Sequence, residues 1–241
     1  MDIGKALGFV FEDEEWPTKL LLAAAVSVVP FFGGVTLTGY TLTVLRNVRA
    51  GESRPLPGWE ALGQYFTDGF SYWIATLVYS IPFLILACPI AAVWILPAVG
   101  GENRDLAGAL AAVAGIATAG LGCLLLIYAV LLWLLTAALQ IQYAERGSLA
   151  SCLQFGEVFR LLFDNIGAIL LAQALVLAAY SVVTGVLGSV IGTMTLIPIC
   201  GWIVAAVLGL VMVPVLAWLM LVASHLYGQI ARTRAANTPA A

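Results

Sequence analysis

Residues Trp202 to Ala223 read WIVAAVLGLVMVPVLAWLMLVA, without a charged side chain. A bilayer core of about 30 Å takes about 20 helical residues, so this stretch is long enough to cross one. Apolar segments of the same kind fall at 20–45, 70–98, 106–144 and 165–196, and the last extends over 202–230. Their continuous Leu, Ala, Val and Ile runs predict helices, since barrel strands would alternate. Composition agrees: 62% of the 241 residues are hydrophobic and 10% are charged, against about 45–50% and about 25% in soluble domains. A water-soluble fold of this length cannot bury that much apolar surface. Disordered chains have the opposite composition. The expected fold is an all-α integral membrane protein built of helical hairpins. It has four full transmembrane spans, a broken or re-entrant N-terminal hairpin, and amphipathic interfacial helices.

Turn signals punctuate these segments. Val29-Pro30-Phe31-Phe32-Gly33, Leu96-Pro97-Ala98-Val99-Gly100 and Ile197-Pro198-Ile199-Cys200-Gly201 all read aliphatic-Pro-x-x-Gly. Proline cannot continue a helix and glycine permits a tight reversal, so each is expected to be a hairpin tip. Gly34 follows Gly33 directly and strengthens the first break. Segment 106–144 is too long for one perpendicular span and must tilt, protrude or bend.

A second pattern suggests internal repetition. Ala6-Leu7-Gly8-Phe9-Val10-Phe11-Glu12-Asp13 matches Ala61-Leu62-Gly63-Gln64-Tyr65-Phe66-Thr67-Asp68 at five of eight positions, and Gly156-Glu157-Val158-Phe159 repeats the Gly-x-x-Phe core. Each copy precedes an apolar hairpin. The expected organisation is one membrane domain over 1–231, with three units at 1–50, 55–146 and 149–231, followed by a disordered tail over 232–241.

Charge sets the expected topology. If 20–45 spans once, basic residues divide three against seven between the two sides. If it folds back at Pro30–Gly34, they divide nine against one, with Arg104 alone. The positive-inside rule prefers the second arrangement, which places a multi-pass protein in the cell membrane with both termini cytoplasmic. The short arms of that first hairpin then need cover from other helices. Acidic residues Glu12-Asp13-Glu14-Glu15 stand where a signal peptide would be basic, so no cleavage is expected. Trp16, Trp59 and Trp73 are expected at the cytoplasmic interface, with Trp94 and Trp202 near the far tips.

Particular strings carry a resemblance. The opening Met1-Asp2-Ile3-Gly4-Lys5-Ala6-Leu7-Gly8-Phe9-Val10-Phe11-Glu12-Asp13, the loop Gly51-Glu52-Ser53-Arg54-Pro55-Leu56-Pro57-Gly58-Trp59, and Ser224-His225-Leu226-Tyr227-Gly228-Gln229 resemble the prokaryotic membrane family catalogued as domain of unknown function 4013. The resemblance runs to about residue 231. It implies an integral membrane protein of bacteria or archaea. It implies no reaction, substrate or cofactor.

The candidate binding residues are few. Arg54-Pro55-Leu56-Pro57-x-Trp59 combines a rigid extended backbone, a guanidinium fork and an interfacial ring. It reads either as a stiff elbow between hairpins or as a grip on a lipid phosphate or partner carboxylate. Arg54 is therefore expected to matter more to stability or partner retention than Arg234 in the tail. His225 is the sole histidine, with Gln229 one turn on. It reads as a hydrogen-bonded interfacial residue, or as a proton relay or an axial ligand to haem or pigment. Glu157 and Arg160 are spaced as an intrahelical pair, with docking of the Arg54 loop as the alternative. Cys88, Cys123, Cys152 and Cys200 lack metal or redox spacing and read as apolar packers.

The spans themselves show no Asp, Glu, Lys or Arg, which argues against an ion-coupled pump. Gln173 in mid-helix is expected to join helices. No nucleophile set, phosphate loop or paired carboxylates occur, and no basic run. No enzyme, resident cofactor, metal site or nucleic-acid partner is therefore expected. The first functional expectation is a scaffold or accessory subunit that organises lipid or other membrane subunits. The alternative is a transporter or exporter of a neutral or amphiphilic solute, suggested by Pro82, Pro89 and the broken hairpin. A haem or pigment carrier through His225 is the third.

Overall fold

The computed structural model describes residues 1–95 and 103–237. Every regular element among them is helical. They comprise α1 (Ile3–Gly8), a 3-10 turn (Phe9–Glu12), α2 (Trp16–Ser27), α3 (Phe32–Ala50), α4 (Leu62–Val93), α5 (Arg104–Arg146), α6 (Leu149–Cys152), α7 (Phe155–Asp164), α8 (Ile166–Met194) and α9 (Cys200–Asn237). Four of them, α4, α5, α8 and α9, are long and apolar enough to cross a membrane. At 1.5 Å per residue α2 is about 18 Å long, too short to cross alone.

Local chemistry fixes the helix ends. Asp2 caps α1 by accepting the Lys5 N–H at 2.9 Å, and Asn103 caps α5 by accepting the Leu106 N–H at 3.1 Å. Gly51 and Gly147 end α3 and α5 in the left-handed region, at φ 82° and 65°, which glycine alone enters without a steric cost.

Between α2 and α3 the helix is fully broken. Phe31 sits at φ 62°, ψ −62°, and the Phe32 N–H donates to the Pro30 carbonyl at 2.7 Å. This is a γ-turn with positive φ, strained for a side chain with a β-carbon. The α8–α9 tip repeats it. Ile199 has φ 63°, and Cys200 N–H donates to Pro198 at 2.8 Å. A β-carbon on Gly33 would overlap the Val26 carbonyl, and one on Gly201 would overlap the Met194 carbonyl. Glycine is required at both tips because the chain recrosses itself there. Pro97 and Gly100, the third expected tip, lie outside the described residues.

The least apolar helix occupies the centre. α3 packs against α2, α4, α5 and α9. Thr36, Thr38 and Thr43 each return a hydroxyl bond to the carbonyl four residues earlier, and Thr41 to the one three earlier. α3 and α4 cross with backbones in contact: a β-carbon on Gly39 would overlap the Tyr65 carbonyl, and one on Gly69 would overlap that of Val35. Gly228 of α9 lies against Val48 and Leu45 on another face of α3.

The structure changes four expectations. α9 continues to Asn237, so residues 232–237 are helix, not the expected disordered tail. The reason is a tertiary anchor: Arg234 pairs with Glu145 of α5 at 2.7 Å. α4 starts two turns before the apolar segment, so Asp68 lies within a spanning helix. Trp73 does not join Trp16 and Trp59. It stands against the α2–α3 tip, edge-on to Phe31, and donates to Thr38 Oγ1 at 3.2 Å. Finally, the three similar lead-in strings take different forms: the first is α1 with the 3-10 turn, the second mostly runs into α4, and the third is the separate helix α7.

Candidate functional site

Polar groups gather at the end of the molecule that holds Met1 and the last turns of α9. Backbone groups of Asp2 meet the Gln229 side chain there, N–H to Oε1 at 2.6 Å and Nε2 to C=O at 2.8 Å. Three clusters occupy this end.

The first is the Arg54–Trp59 loop, whose four carbonyls from Pro55 to Gly58 are all captured. Pro55 accepts from Asn47 Nδ2 at 3.0 Å, Leu56 from Lys19 Nζ at 3.3 Å, Pro57 from the Tyr40 hydroxyl at 2.9 Å, and Gly58 from the Tyr65 hydroxyl at 2.6 Å. Trp59 donates to the Lys19 carbonyl at 3.0 Å and stacks on Tyr40 with centroids 4.3 Å apart. Lys19 also pairs with Asp13 at 2.8 Å, both side chains nearly buried. Burial raises the Asp13 carboxyl, but the Lys19 and Glu15 hydrogen bonds and the charges of Lys19 and Arg54 outweigh it. The carboxyl is held below its ordinary range. Two prolines present this row of acceptors without backbone donors of their own.

Arg54 itself points away from that framework. It meets Glu14 at 2.9 Å, with side chains 60% and 81% exposed, whereas Arg234 and Glu145 are 25% and 16% exposed. This reverses the ranking expected from sequence. Exposed pairs contribute about 0–1 kcal/mol, while charged hydrogen bonds shielded from water contribute about 1.5–3 kcal/mol. Arg234→Ala should therefore lower the melting temperature in detergent more than Arg54→Ala. Equal shifts would mean that the Glu145 anchor contributes nothing.

The second cluster surrounds His225, which is only 3% exposed. Its ring stacks on Phe9 at 4.5 Å. Gln229 Nε2 lies 3.1 Å from His225 Nδ1. The paired bonds to Asp2 fix the orientation of the Gln229 amide, so Nε2 donates and Nδ1 accepts. The imidazole is then neutral with its proton on Nε2. Beside it lies a cavity of about 280 Å³ lined by Asp2, Lys5, Glu52, Pro55, Gln229 and Arg232, among others. Pro55, His225 and Gln229 thus meet at one place.

Glu157 and Arg160 do not join them. They pair within α7 at 3.0 Å, and Glu157 also meets Arg146 at 3.6 Å. The Arg54 loop docks on Glu14 and α2 instead.

The third cluster was not legible in sequence. Arg46 of α3 bonds Asp68 of α4 at 2.5 Å and lies 5.5 Å from the Tyr143 ring, whose hydroxyl donates to Asp68 at 3.1 Å. It ties α3, α4 and α5 together. Deeper in the bundle Gln173 joins helices as expected, donating to the Trp133 carbonyl at 2.7 Å and accepting from Tyr227 at 2.9 Å.

The family model described as protein of unknown function, DUF4013, matches residues 22–193. The chain belongs to the DUF4013 family. No curated protein and no solved structure matches it. The DUF4013 match takes in the broken hairpin tip, the captured loop, the α3–α4 crossing and the Glu157–Arg160 helix. The opening helix and α9, with His225 and Gln229, lie outside it. Within the DUF4013 span, Asn47, Tyr40 and Tyr65 hold the loop. Sequence reading missed that role because tyrosines in apolar helices look like packing residues.

Proposed function

We propose that the protein is a non-enzymatic scaffold or accessory subunit of a prokaryotic cell membrane, organising lipid or a partner's membrane helices. One observation carries this reading. Over their halves remote from Met1, α5, α8 and α9 present apolar faces that no other described residue covers, including Ile116, Leu126, Val182, Val186 and Leu210. Buried side chains of α5 beyond Ala114 begin at Leu135, and those of α8 stop at Gln173. Such faces ask for lipid or another apolar helix as solvent. The prolines that suggested a solute path do not break their helix. α4 stays helical through Pro82 and Pro89, and Gln173 and the α3 threonines use their polar groups in hydrogen bonds between and within helices. Full-length protein purified in mild detergent should retain a stoichiometric membrane partner by mass spectrometry. A partner-free protein that passes a neutral solute in liposomes would overturn the reading in favour of a transporter.

Cytoplasmic termini belong to the same proposal. Nine of the ten basic residues lie toward the terminal end and Arg104 opens α5 at the other. Alkaline phosphatase fused to either terminus should be inactive. Strong periplasmic activity from either fusion would reverse the orientation.

A further inference from the structure

The cavity beside His225 holds two acidic and two basic side chains, Asp2, Glu52, Lys5 and Arg232. Among the described residues, none of the four forms an ion pair. Asp2 spends Oδ1 on the α1 cap. The Arg232 guanidinium rests against Gly51, with Cζ 3.3 Å from where a β-carbon would stand. Side chains of both signs, gathered around a space and left unpaired with one another, complement a ligand that carries both signs.

The surroundings supply the rest of the ligand. α1 separates this polar cavity from an apolar crevice of about 150 Å³. Asp2 and Lys5 line the first, while Ile3 and Leu7, with Leu175, Val176, Leu219 and Leu226, line the second. A small recess lined by Met1, Ala168, Gln229, Ile230 and Thr233 lies between α8 and α9, and shares Met1, Gln229 and Thr233 with the polar cavity. A cavity with charged side chains in its wall and an apolar slot, both bordered by one short amphipathic helix, match a headgroup and its acyl chain.

We infer that this cavity binds the headgroup of a zwitterionic aminophospholipid. The phosphate lies toward Lys5 and Arg232, and the ammonium toward Glu52. Arginine and lysine are the usual phosphate partners. Glu52 distinguishes an ammonium that donates hydrogen bonds from a quaternary one that does not. The proposal needs this end of the bundle at headgroup level, but does not rest on the scaffold reading. Lipid retention and partner retention are separate measurements, so either can fail alone.

The test uses full-length protein in nanodiscs of phosphatidylcholine doped with phosphatidylethanolamine or with phosphatidylglycerol, followed by native mass spectrometry of retained lipid. Phosphatidylethanolamine should be retained at one per chain, about tenfold over either other lipid. Lys5→Gln and Arg232→Gln should each lower its retention about tenfold, the loss expected for one charged hydrogen bond. Glu52→Gln should remove the preference over phosphatidylglycerol while keeping retention. Arg104→Gln, at the opposite end, should change nothing. Both cavity cations are exposed, so these variants should fold, and Lys5→Gln decides alone if Arg232→Gln does not. Equal retention of all three lipids, or retention unchanged in every cavity variant, overturns the proposal. If phosphatidylethanolamine is not retained but free phosphoethanolamine raises the melting temperature in detergent, the ligand is a soluble zwitterion and the lipid assignment falls.

Discussion

Gly39→Ala and Gly69→Ala are each expected to destabilise the protein by more than about 3 kcal/mol, enough to abolish recovery of a monodisperse species in detergent. A methyl group at either position enters the backbone carbonyl of the facing helix, Tyr65 for Gly39 and Val35 for Gly69. Backbone cannot rotate aside as a side chain can, so α3 and α4 must separate. Separation would pull Arg46 from Asp68 and Trp73 from Thr38 at the same time. Association in lipid depends on close van der Waals packing, because water does not drive apolar helices together there. Gly115→Ala is the matched control. It lies in mid-α5 with open space around its Cα, and alanine there should raise stability by up to about 1 kcal/mol. Fluorescence-detected size exclusion with thermal challenge reads all three. Similar melting of Gly39→Ala and Gly115→Ala would mean that α3 and α4 do not cross as described.

Lys19→Met is expected to cost about 3–5 kcal/mol, the range for removing one partner of a shielded ion pair. It leaves the Asp13 carboxylate without its cation and the Leu56 carbonyl without its donor. The captured loop should then loosen, with a rise in Trp59 solvent quenching. Adding Asp13→Asn should restore part of the loss, since the Glu15 N–H bond survives and the unpaired charge is gone. The same pair sets an acid limit. The folded Asp13 carboxyl titrates below its unfolded value of about 3.9. Its contribution is therefore full above that value and is lost as pH falls through the lowered folded value. Melting temperature should fall as pH drops below that unfolded value, and the fall should shrink in the double variant. A single Lys19→Met variant as stable as the parent would make the Asp13–Lys19 pair a surface ornament.

The class of the molecule was legible in sequence because it follows from sums and local rules. Uncharged runs long enough to cross a bilayer predict spanning helices wherever they occur. Pro-x-x-Gly fixes a chain reversal without help from distant residues, and both tips within the described residues adopt the same γ-turn. Gln173 was readable as a helix joiner because one amide in an apolar run has few other uses. Tertiary structure alone decided which charges meet. Arg54, conspicuous between prolines, turned out exposed, while Arg234, in a segment that looked like tail, is anchored by Glu145, 89 residues away in the chain. Asp68 precedes the apolar segment in sequence, but α4 extends over it and Arg46 meets it from α3. Lys5, Glu52 and Arg232 share a cavity only because α1 folds back beside the end of α9. Periodicity and composition act over a few turns of one helix, so the sequence determines where each helix lies. Ion pairs and cavities depend on the rotation and depth of one helix against another, set by glycines such as Gly39 and Gly69 whose packing role shows only when the facing backbone is in place.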